Sequence, residues 1–135
     1  MKNAYLVLAL LIVFSLFEVE LKAQCPSDCT NDNTFIGSSA GNSMTDGDDN
    51  TFVGRASGFS NTTGADNSFF GRSAGFRNTS GGSNSFFGRS AGLENITGSS
   101  NSFFGRNSGF INTEGNDNSF IGASSGLRNY SETKS

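Results

Sequence analysis

Residues 67–76 read NSFFGRSAGF, and residues 84–93 read NSFFGRSAGL. Two adjacent phenylalanines stand between an Asn-Ser pair and a glycine. On an extended chain, neighbouring side chains point to opposite faces. One ring of Phe69–Phe70 therefore enters a core, and the other faces away from it.

Working outward, the same phrase recurs with a period of 17 and no slips. Asn stands at 33, 50, 67, 84, 101 and 118, and six units cover residues 33–134. Counting each unit from its Asn, column three is always Phe: Phe35, Phe52, Phe69, Phe86, Phe103 and Phe120. Column four holds Ile36, Val53, Phe70, Phe87, Phe104 and Ile121. Column ten holds Asn42, Phe59, Phe76, Leu93, Phe110 and Leu127. Of the 18 glycines, 17 fall in columns five, nine and fifteen, and Gly82 is the exception. A glycine fixed at three places per unit marks positive φ, or a backbone approach too close for a Cβ.

Helix is excluded by the recurring glycine and the lack of a 3.6-residue apolar stripe. Gly, Ser and Asn are abundant enough for disorder, but strict registration of the apolar residues in three columns argues against it. Each unit reads as a short strand around N-[ST]-F-[FIV]-G, a bend, a second short strand through [SA]-G-[FL], and a polar turn. Stacked units make a solenoid with continuous ladders. The expected fold is all-β, a β-roll of six 17-residue coils, roughly 25–30 Å long at the strand spacing. Asn42 fits a capping first coil. Glu132, where a column-fifteen glycine is lost, fits a second cap or a cut end.

In a lone solenoid, columns three and four face opposite ways. A row of bulky apolar residues would then lie outside, and such stripes mark interfaces. Fully burying such a side chain contributes roughly 1.5–3 kcal/mol. The reading is that both rows are buried, one within the coil and one against another chain. A single-chain core taking both rings at a bend is the alternative.

The phrase N-T-F-x-G-x-x-A-G-x-x-N-T-T-G resembles the head repeats of trimeric autotransporter adhesins. It resembles more closely the repeat arrays of tail-fibre-like secreted surface proteins of Bacteroidetes. The resemblance covers residues 33–134. It implies parallel β-rolls packed as a homotrimer, surface display, and a spacer or adhesive role toward a glycan or a host or matrix protein. The period of 17 exceeds the usual adhesin unit. No coiled-coil stalk, membrane β-barrel or self-cleaving chaperone segment follows, so the chain reads as a head without anchoring machinery.

Column six is Ser38, Arg55, Arg72, Arg89, Arg106 and Ala123. Four stacked arginines form a cationic ladder suited to anionic glycans or a carboxylate-bearing partner. The plainer reading is a solvated row lying over rings, or one that pairs with Asp49, Asp66 and Asp117 across a subunit boundary. Column one and the row Asn61, Asn78, Asn95, Asn112, Asn129 suit amide ladders along the axis. N-x-[ST] sequons fall at Asn61, Asn78, Asn95 and Asn129. Asp46, Asp48 and Asp49 could hold at most one weak calcium ion, without the repeated pattern of calcium-binding solenoids. The row Thr45, Thr62, Thr79, Ile96, Thr113, Tyr130 keeps open a monomeric ligand-binding solenoid, for ice or glycan.

Ahead of the repeats, Met1-Lys2-Asn3 and the apolar stretch 4–17 precede a small-residue site after Ala23. This is the layout of a secretory signal peptide over 1–23. The apolar run is shorter than the ~20 residues a membrane span needs. The exported chain would keep seven Lys/Arg and ten Asp/Glu, which argues against nucleic acid and anionic membranes as partners. Residues 24–32 carry Cys25 and Cys29, spaced C-P-S-D-C. A disulfide there, local or between chains, fits export, while two ligands are too few for zinc. With no His for a base or triad and no phosphate-cradling loop, neither an enzyme nor a cofactor is expected.

Overall fold

The computed structural model describes residues 31–129. Residues 1–23, where a signal peptide is expected, as well as Cys25, Cys29 and Glu132, lie outside the described residues. Each coil contributes one three-residue strand over columns two to four. These are β1 (Thr34–Ile36), β2 (Thr51–Val53), β3 (Ser68–Phe70), β4 (Ser85–Phe87), β5 (Ser102–Phe104) and β7 (Ser119–Ile121). They form one parallel sheet in chain order. Phe35 aligns with Phe52, Phe52 with Phe69, and so on to Phe103 with Phe120. Spacing by 17 is therefore also the hydrogen-bonding register, and the architecture is a β-solenoid.

The second strand expected through [SA]-G-[FL] is not formed there. That segment is two linked reverse turns. Ser57 N donates to Gly54 O at 3.2 Å, and Asn61 N donates to Gly58 O at 3.1 Å, a pair repeated along the stack. Column seven, the third residue of the first turn, has φ between 55° and 62° from Ser39 to Ser124 although none is glycine. A turn of this hand needs positive φ at that place. Extended pairing appears later in the unit and only near the end of the stack, between β6 (Ile111–Asn112) and β8 (Arg128–Asn129).

Column three is the core. The rings from Phe35 to Phe120 form one parallel stack with centroids 4.7–5.1 Å apart. Ala40, Ser57, Ala74, Ala91 and Ser108 of column eight are buried beside them. The column-nine glycines lie so close to the rings that a Cβ on Gly75 would collide with Phe69. This is why one large and two small residues recur together: the interior of a 17-residue coil has room for a single aromatic layer.

The other half of the interior is polar. Asn67 Nδ2 donates to Asn50 Oδ1 of the preceding coil at 3.1 Å and to Gly81 O of its own coil at 2.9 Å. Asn78 Nδ2 donates to Asn61 Oδ1 at 2.6 Å and to the same Gly81 O at 2.8 Å. Two amide ladders thus converge on one glycine carbonyl per coil, and the pattern repeats at Gly98 and Gly115. Buried amides are tolerated because their hydrogen bonds are supplied rung after rung from Asn50 to Asn101.

Candidate functional site on the outer face of the sheet

Alternation along each strand decides what the outer face displays. Phe52, Phe69, Phe86 and Phe103 are fully buried, so columns two and four point outward. Column two is Ser or Thr throughout. Column four is apolar throughout, with Ile36 53%, Phe87 36%, Phe104 41% and Ile121 78% exposed. Val53 and Phe70 are half-buried. The doubled phenylalanines therefore divide as the sequence predicts. Parallel sheets are ordinarily covered on both faces, and here a single chain covers one.

The outer rings stack on each other. Phe70 to Phe87 is 4.8 Å at 6° between planes, and Phe87 to Phe104 is 5.0 Å at 3°. Their faces are turned to one another along the axis, and the surface they offer is ring edge. Column ten runs as a separate row, half-buried from Phe59 to Phe110 and exposed at Asn42 and Leu127, with Phe59 stacked on Phe76 at 5.1 Å.

Beyond the column-five glycine the chain turns, and Arg55, Arg72, Arg89 and Arg106 stand exposed at the second position of that turn. The glycine is there for two reasons. Gly71 has φ of 142°, and a Cβ on it would lie 2.5 Å from Gly88 O. The column-six arginines make no ion pair among the described residues. Within the single chain Asp49, Asp66 and Asp117 do not pair with them.

The remaining sequence candidates are placed as follows. Asn61, Asn78 and Asn95 are fully buried with their amides engaged, so these sequons present no side chain to a glycosylating enzyme in the folded chain. Thr45, Thr62 and Thr79 donate their hydroxyl hydrogens to the carbonyls of Thr62, Thr79 and Ile96 at 3.0 Å each. That row is tied into the stack, which removes the free hydroxyl donors a water-ordering face would use. Asp46, Asp48 and Asp49 are exposed, and the described residues hold no group of three or more acidic, His or Cys side chains placed for a metal ion. No helix among the described residues is long and apolar enough to cross a membrane.

One contact was legible but unread. Column eleven places Arg77 directly before Glu94, and the two form an ion pair at 2.7 Å. Applying the period to this column, as to the apolar ones, finds it. Compared with known protein families, with curated proteins and with solved structures, the chain matches none.

Proposed function

We propose that the chain is a non-enzymatic, exported structural or adhesive module whose solenoids associate side by side, as a parallel homotrimer, through the outer face of the sheet. The supporting observation is the continuous apolar row of column four on an uncovered parallel sheet. A phenylalanine carries about 200 Å² of surface. The exposed 36–41% of Phe87 and Phe104 then corresponds to ~2 kcal/mol per ring on burial. Identical periods bring the same rung of each copy to the same height, so one good contact is repeated along the axis. Attachment to a glycan or a host or matrix protein would use the surfaces left outside the bundle.

Sedimentation of the chain purified from an exporting host is expected to give a concentration-dependent trimer. Phe87→Ser with Phe104→Ser is expected to give a folded monomer with unchanged β-type circular dichroism. A wild-type chain that stays monomeric at tens of micromolar, a range in which weak interfaces of ~8 kcal/mol are populated, would remove the reading.

A further inference from the structure

We propose that column six is a binding row for a linear acidic polysaccharide, laid along the stack axis with its carboxylates or sulfates on Arg55, Arg72, Arg89 and Arg106. The four side chains occupy one position of four consecutive coils and are all exposed. The sheet that fixes them pairs without slip, so they repeat at the strand spacing, about 4.8 Å.

The chain shows how it neutralises a cation when it can. In column eleven Arg77 stands one coil from Glu94 and is paired with it. Column six does the reverse, setting arginine next to arginine in four coils. Like charges this close repel, and no ion pair among the described residues offsets them. Water and mobile ions screen the row, and the fitting counter-charge is one that an external polyanion supplies, releasing those ions.

A second copy of the chain does not provide it. Between Asn67 and Thr113 the sequence has Arg72, Arg77, Arg89 and Arg106 but only one acidic residue, Glu94. Arg77 already engages that carboxylate. The other acids of the described residues lie toward the two ends, at Asp32, Asp46, Asp48, Asp49 and Asp66, then Glu114 and Asp117. An in-register copy would offer Arg89 no free carboxylate in its own coil, because Glu94 is already engaged by Arg77. Single-stranded nucleic acid is disfavoured for a different reason. Base stacking needs open aromatic faces, and the outer rings spend theirs on one another. An acidic polysaccharide needs what is present: planar guanidinium forks matched to carboxylate or sulfate, evenly spaced. This inference stands whatever the number of chains.

The test measures affinity of the full exported chain for polygalacturonate, dextran sulfate, unmodified dextran and oligothymidylate at low and physiological salt. Binding of either acidic polymer, but not of dextran, is expected, weakening linearly in log salt as counterions are released. The polygalacturonate and dextran sulfate arms tell carboxylate from sulfate. Arg72→Gln with Arg89→Gln is expected to weaken binding at least roughly tenfold and lower the salt slope by about two. Arg55→Gln with Arg106→Gln should act in the same direction from the outer rungs. Arg77→Gln with Arg128→Gln removes the same formal charge elsewhere and should stay within about twofold of wild type. Three results would overturn the proposal: no binding of either acidic polymer, equal loss in the column-six and control variants, or tighter binding of oligothymidylate. Self-association lost in Arg72→Gln with Arg89→Gln, without polymer binding, would assign the row to a second copy instead.

Discussion

Gly71→Ala is expected to destabilise the solenoid by about 4 kcal/mol or more, at the extreme of single substitutions, while Gly82→Ala changes it by less than about 1 kcal/mol. Both are glycine-to-alanine changes in the third coil, so the contrast isolates geometry. Gly71 has φ of 142°, a conformation L-residues do not adopt without strain. A Cβ there would also meet backbone, 2.5 Å from Gly88 O and 2.7 Å from Gly88 C. Neither atom can move without breaking the next rung, where Gly88 N donates to Phe70 O at 2.8 Å. Gly82 has no positive φ, and its nearest neighbour would be Ala65 O at 3.1 Å. Other coils carry Asp48, Ala65, Ser99 and Asn116 in its column. Denaturant titration followed by circular dichroism checks this, and equal losses for the two variants would contradict the account.

Asn84→Leu is expected to cost at least ~3 kcal/mol, although it exchanges a buried polar side chain for an apolar one of similar size. Asn84 Oδ1 accepts from Asn101 N at 3.0 Å and Asn101 Nδ2 at 3.2 Å, and its Nδ2 donates to Asn67 Oδ1 and Gly98 O. Leucine would leave the Asn101 N–H buried without an acceptor and remove a rung from a ladder that runs on both sides. Each unmet buried polar group costs about 1–3 kcal/mol. In a chain of this size the melting temperature should fall by more than about 10 °C. A melting temperature equal to or above wild type would show that apolar burial, not the amide ladder, governs this half of the interior.

The period and the side to which each aromatic column turns were readable because both rest on backbone arithmetic. Strand alternation leaves Phe69 and Phe70 no choice once the strand is granted. The glycine columns were readable as requirements but not as distinct ones. Gly71 and Gly75 combine positive φ with close approach, whereas Gly81 has ordinary φ and is excluded from having a Cβ by the next coil and the Asn78 amide. The second strand was misplaced because [SA]-G-[FL] looks like an extended apolar phrase. Its path is set instead by positive φ at Ser73 and Gly75, and serine gives little local sign of that. The amide ladders were anticipated. Their convergence on Gly81 and Gly98 was not, because it depends on where two distant columns meet across the coil.

The unbroken register of the sheet has a consequence for how such a chain can change length. A deletion or insertion of one residue would shift every later Phe, Asn and Gly out of its column against the coil before it. Addition or loss of a whole 17-residue unit leaves every ladder aligned, because among the described residues the backbone hydrogen bonds between coils run from each coil to the next. Tandem duplication and unequal exchange between the near-identical stretches 67–76 and 84–93 would lengthen or shorten the rod in whole rungs. The molecule is written in a grammar that tolerates changes of copy number and punishes changes of frame within a unit.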